Sequence, residues 1–138
     1  MTSNSSEKTR SGLELWELAY SVFLRILALL FIVFSVQAWM LAIGMSGDGD
    51  IRFDTMNTQW RLAIAALCVL HPVTALGLWG LFSWGVAVWL IDILVQLSMH
   101  LIFYQLFGIN QLLVVFHIVS FAIFVIFQLS LRLTNNNS

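Results

Sequence analysis

Hydrophobic residues in this chain come in long blocks, with little of the alternation that marks a strand. Four blocks stand out, at residues 20–43, 62–82, 84–104 and 112–131. A helix rising about 1.5 Å per residue needs about 20 such residues to cross a hydrocarbon core of about 30 Å. Lipid offers no partner to a backbone N–H or C=O, so a spanning segment of this length has to be helical. A membrane barrel would show short segments of alternating polarity, and the sequence has none. The pattern therefore predicts an all-α fold, an integral membrane four-helix bundle, in one domain over residues 13–133. Tails at 1–12 and 134–138 are polar and expected to be disordered.

The segments between the blocks differ in kind. Gly44 to Gln59 is a polar loop rich in glycine and aspartate, residues that suit turns. Phe82-Ser83-Trp84-Gly85 is so short that it predicts an antiparallel helical hairpin. Gln105 to Gln111 is a second short link, with Gly108 and Asn110 as breakers. Trp16, Tyr20, Trp39, Trp60, Trp79, Trp84 and Tyr104 stand near block ends, where half-wet rings favour the headgroup level, and Trp89 lies deepest.

Charge adds an orientation. Only 9% of residues are charged, against about 25% in a soluble domain. A net charge of −1 leaves no basic surface for a polyanion, so nucleic acid is not an expected partner. With four spans both termini share a face. Lys8, Arg10, Arg25 and Arg132 lie on that face, whereas the other carries Arg52 and Arg61. The excess predicts cytoplasmic termini. One cysteine, Cys68, excludes an internal disulfide framework.

Small residues indicate where helices can approach. Ser21, Ala28, Ser35 and Ala42 recur every seven positions, and Thr74, Gly77 and Gly80 form a strip in the second block. Pro72 removes an N–H from that block and is expected to kink it, freeing the carbonyl of Cys68. Gly47-Asp48-Gly49-Asp50 has the outward look of a calcium loop but lacks the later acidic ligand, so it is read as a turn.

The candidate chemistry is a set of polar residues at membrane depth. Asp92 falls about 12 Å beyond Trp84 by helical rise. An aspartate there costs roughly 2.5–3.5 kcal/mol to insert, so it needs a partner or a proton. Asp92, Gln96 and His100 are spaced four apart and share a helix face. Counting back from a turn near Ser83 sets His71 opposite about residue 95, and counting from Phe107 sets His117 opposite about residue 97. These residues could converge, and the long side chain of Arg25 could reach Asp92 or snorkel to phosphate. Three roles are open to the set: hydrogen-bond glue between helices, a proton or small-solute relay, or haem ligation by two histidines. No His or Cys spacing indicates a metal site.

Ile51-Arg52-Phe53-Asp54, Gln59-Trp60-Arg61-Leu62-Ala63, the run His71-Pro72-Val73-Thr74-Ala75-Leu76-Gly77-Leu78-Trp79 and Ser83-Trp84-Gly85 together resemble a family of small alphaproteobacterial membrane proteins of unknown function. The resemblance implies a bacterial inner-membrane location and no particular activity. Phe23-Leu24-Arg25-Ile26-Leu27 with Val36-Gln37 is more remotely similar to the first helix of DoxX-like proteins. That similarity implies an association with quinone-linked redox complexes.

The expectation is thus a small membrane protein, more an accessory or interaction subunit than an enzyme, whose partners are the bilayer and either itself or a larger membrane-protein complex. No cofactor is expected on the leading reading; haem or quinone belongs to the redox alternative, and proton-coupled transport through Asp92 is the other.

Overall fold

The structure, a computed structural model, describes residues 3–45, 54, 56–108 and 110–136, with backbone alone for 3–9. The turn at Gly47–Asp50 and Arg52 lie outside the described residues. The elements are α1 (Ser3–Ala42), α2 (Thr58–Trp79), α3 (Ser83–Leu97), a π-helical turn (Ser98–Ile102) that continues α3, α4 (Tyr104–Phe107) and α5 (Gln111–Asn136). Among the described residues there is no strand. Among the described residues four stretches are long and apolar enough to cross a membrane: Arg10–Ala42, Thr58–Trp79, Ser83–Ile102 and Gln111–Asn136. This is the all-α build of an integral membrane protein that the blocks predict.

The ends of the helices have local causes. The Asn57 side chain accepts a hydrogen bond from Trp60 N at 2.9 Å, capping α2. Asn110 does the same for α5, taking Leu113 N at 3.2 Å. At the end of α2, Phe82 N donates to Gly77 O and Leu81 N to Leu78 O, both at 3.1 Å. These two bonds make a Schellman ending, whose left-handed position usually holds glycine. Here Leu81 fills it, at φ 56°. The ending stops α2 at Trp79, earlier than the hydrophobic run stops, and sets the turn at Gly80–Phe82. Pro72 does not break α2, which continues to Trp79; membrane helices tolerate such prolines. Helical backbone also reaches back to Ser3 and on to Asn136, into both polar tails. Extending an established helix adds one bond per residue fixed, so it does not need apolar sequence.

The chain divides into two compact units, and α1 contributes to both. In the first, the start of α1 packs on α5 through an aromatic ladder. Phe127 meets Trp16 edge-on at 6.0 Å between centroids, Tyr20 at 5.9 Å and Phe23 at 5.5 Å. Gln128 Nε2 donates to the Tyr20 hydroxyl at 3.3 Å.

The second unit, Leu24–Ile109, holds the rest of α1, the α2–α3 hairpin and α4. Ala38, Ile64 and Cys68 are buried together, with Leu41, Met56, Trp60 and Leu67 around them. Trp60 Nε1 donates to Leu106 O at 3.0 Å, and its ring stands edge-on to Phe107 at 4.9 Å. That tie fixes α4 against the start of α2. Arg61 turns back to the carbonyls of Met56, at 3.0 Å, and Asp54, so it braces the segment before α2. Trp89 is fully buried and belongs to the core instead of an interfacial belt.

The closest approach in the hairpin is backbone on backbone. A Cβ built on Gly77 would lie 2.5 Å from Gly85 Cα, and one on Gly85 would lie 2.6 Å from Gly77 Cα. Only glycine at both positions allows α2 and α3 to sit this close. The small strip expected in α2 is used here, with Thr74 fully buried beside it.

Candidate functional site

Three polar side chains meet within this hairpin. Asp92 is 0% exposed, Gln96 2% and His71 5%. Asp92 and Gln96 are one turn apart on α3, and His71 comes from α2. The Gln96 amide nitrogen lies 2.9 Å from Asp92 Oδ2 and 3.0 Å from His71 Nε2. His71 Nε2 is 3.5 Å from Asp92 Oδ1, an oxygen that accepts no hydrogen bond. Each member thus contacts both others.

The surroundings of the cluster are apolar. From α1, the rings of Phe31 and Phe34 lie 5.7 Å and 6.0 Å from the His71 ring. The backbone of Phe34 is the ring's further polar neighbour. Phe31 is itself fully buried. Neither phenylalanine stands out in the sequence, because an aromatic among so many carries no positional signal.

The other candidate residues are placed differently. His100 turns its Nδ1 onto the carbonyl of Gln96 at 2.9 Å, one turn back along its own helix. It sits in the π-helical turn, half-buried, and touches the cluster through Gln96's backbone only. Arg25 is exposed and lies over the Trp79 ring, its guanidinium carbon 5.9 Å from the centroid. Among the described residues no ion pair joins it to Asp92. Its side chain takes the aromatic face at the same end of the hairpin, so the expected reach to Asp92 is not made. His117 belongs to the other unit, where its ring is buried and stands edge-on to Phe116 at 5.2 Å. The structure therefore brings together Asp92, Gln96 and His71. Pro72 follows His71 directly, and α2 continues through both.

What the cluster can do follows from its donors and acceptors. The Gln96 NH₂ has two hydrogens and can serve Asp92 and His71 at once. In that arrangement Nε2 of His71 supplies a lone pair, so the neutral ring carries its proton on Nδ1. The result is a hydrogen-bonded tie between two helices that leaves Asp92 Oδ1 without a hydrogen bond. Among the described residues no group of three His, Cys, Asp or Glu side chains is placed to hold a metal ion.

An open cleft of about 580 Å³ lies elsewhere in this unit, lined by residues that include Leu62, Ala63, Leu94, Val95, Met99 and Phe103. Its wall is almost wholly apolar and includes no histidine.

Over residues 18–135 the chain matches a family of unknown function, DUF6163, and it belongs to that family. No curated protein and no solved structure matches it. The family match takes in the hairpin and its cluster and assigns no activity to them.

Proposed function

We propose that this protein is a non-enzymatic accessory or interaction subunit of a bacterial inner-membrane complex, with both termini in the cytoplasm. The observation that carries the reading is the burial of the Asp92–Gln96–His71 cluster between two helices. Gln96 ties Asp92 to His71 across α2 and α3, and all three side chains are enclosed by protein. Such a cluster stiffens a hairpin, and interhelical hydrogen bonds in membranes contribute about 0.6 kcal/mol each on average. The described cleft is apolar, which suits a hydrocarbon or helix neighbour better than a polar substrate. The excess of Lys and Arg on the terminal face supports the orientation.

The test is blue-native electrophoresis of the tagged chain from its native membrane in a mild detergent, with cysteine labelling at Ser3. Co-migration with a stoichiometric partner, lost when that partner's gene is deleted, is the expected result. A chain that runs alone, or a Cys at position 3 labelled from outside the cell, ends the corresponding half of the proposal.

A second reading, proton-coupled transport, draws on the acid and imidazole lying 3.5 Å apart. Asp92→Asn would then abolish a pH-driven flux in liposomes while leaving the fold intact; an unchanged flux removes this reading. Haem ligation has less support, since the Nε2 of His71 already faces Gln96 and Asp92.

A further inference from the structure

We propose that Asp92 and His71 form a buried binding site for a single proton, and that Gln96 registers whether the site is filled. The proposal concerns the cluster alone and stands whether or not a partner subunit exists.

The argument starts from a mismatch. The Gln96 amide nitrogen reaches both Asp92 Oδ2 and His71 Nε2, which requires a lone pair on each. Asp92 Oδ1 and His71 Nε2 then face each other as two acceptors 3.5 Å apart with no hydrogen between them. Oδ1 is buried and accepts no other bond. A carboxylate enclosed at membrane depth is costly when left in this state. One proton placed on the Oδ1–Nε2 edge removes the mismatch. It either forms O–H···N with a neutral imidazole or N–H⁺···O⁻ with an imidazolium, and the cluster is electrically neutral in both cases.

Filling the site changes which bonds hold the helices. His71 Nε2 has a single lone pair, so once a proton uses it Gln96 can no longer donate there. Gln96 keeps Asp92 Oδ2, its neighbour on the same helix. The link between α2 and α3 thereby passes from Gln96 to the direct Asp92–His71 bond. Emptying the site reverses the exchange. Of the other groups in this unit, Phe31 and Phe34 from α1 face the ring and do not titrate. Cys68 lies one turn before His71 on α2 and is buried. His100 on α3 reaches Gln96 only through its carbonyl, and Arg25 lies over Trp79. The Asp92–His71 edge is the place within this unit where one added proton satisfies two facing acceptors.

The test uses the full chain in lipid nanodiscs, with ¹⁵N-labelled histidine and infrared difference spectra recorded between mildly alkaline and mildly acid buffer. At the alkaline end the expected His71 Nε2 signal is that of a hydrogen-bonded lone pair. Acidification should remove that signal or shift it strongly, with the change at Asp92 read from its carboxyl band. Proton uptake assigned to the pair should equal one per chain and vanish in Asp92→Asn. His71→Phe, which removes the other side of the edge, should lose the uptake as well, and circular dichroism checks that both variants remain helical. A His71 Nε2 that carries hydrogen throughout would show Gln96 turned the other way and no vacancy to fill, which overturns the proposal. So would an uptake unchanged in a folded Asp92→Asn protein, or a wild-type cluster whose signals do not respond to pH.

Discussion

Gly85→Ala is the sharpest test of the hairpin. The added methyl would stand 2.5 Å from Gly77 O and 2.6 Å from Gly77 Cα, where ordinary contact begins at 3.4 Å. The obstacle is helix backbone, which cannot swing aside as a side chain can. The two helices would have to part locally by about 1 Å, or the new residue would remain compressed. Overpacking of this sort costs about 1–3 kcal/mol, and a rigid neighbour puts it at about 3. Alanine gains about 1 kcal/mol over glycine within a helix, so the expected net loss is about 2 kcal/mol. Gly12→Ala is the control, because nothing lies within 4 Å of a Cβ there. It should be neutral or gain up to about 1 kcal/mol.

The assay is equilibrium unfolding in mixed micelles with rising SDS, followed by tryptophan fluorescence, with fully buried Trp89 as the inner probe. Gly77→Ala should also destabilise, and the double variant should cost less than the sum, because helices already pushed apart admit the second methyl more easily. If Gly85→Ala and Gly12→Ala behave alike, the backbone contact does not limit the hairpin and the reasoning fails.

Two further predictions concern the ends of the hairpin. Leu81→Gly should raise stability by about 1 kcal/mol in the same assay, because Leu81 occupies a left-handed position that costs a side-chain-bearing residue about 1–2 kcal/mol; a loss would mean that the exposed leucine side chain is needed for packing. Trp60→Phe removes the Nε1 donor to Leu106 O while keeping an aromatic ring on Phe107, and should cost about 1 kcal/mol. Hydrogen exchange checks its location, since amides of α4 should exchange faster and those of the α2–α3 contact should not.

The spans were legible because hydrophobic length alone forces a helix in lipid, and α2, and α3 together with its π-helical turn, begin and end within a few residues of their blocks. The convergence of the polar residues was legible only in part. Counting from a turn near Ser83 sets His71 opposite about residue 95, whereas the turn lies at Gly80–Phe82. The displacement is about one helical turn, and it brings Asp92 as well as Gln96 to the histidine. Nothing in the local sequence announces that ending, because it rests on a leucine at a left-handed site where glycine is the usual signal. Arg25 stays open in the sequence for a different reason: its length permits several partners, and the ring of Trp79 enters only through the fold. The role of Gly85 was also hidden, since a glycine three residues into a helix reads as a turn residue until its neighbour across the pair is known.

The glycine pair and the polar cluster belong to one design of the hairpin. Aspartate is short, so Asp92 can approach a group on the neighbouring helix only if the two axes lie close together. Gly77 and Gly85 supply that closeness, seven residues and about 10 Å along α3 from Asp92. The same contact fixes the register, since Gly77 opposite Gly85 places His71 opposite residue 91, beside Asp92. Gln96, one turn further and with a longer side chain, then spans back to both. A methyl at Gly85 would act on the cluster from a distance. It would lengthen the 3.5 Å edge between Asp92 and His71 before it broke the Gln96 bond to Asp92, which lies within α3 and does not depend on helix spacing. Selective loss of the edge between helices, with the bond inside α3 kept, is what distinguishes a cluster positioned by backbone contact from one that holds the helices together by itself.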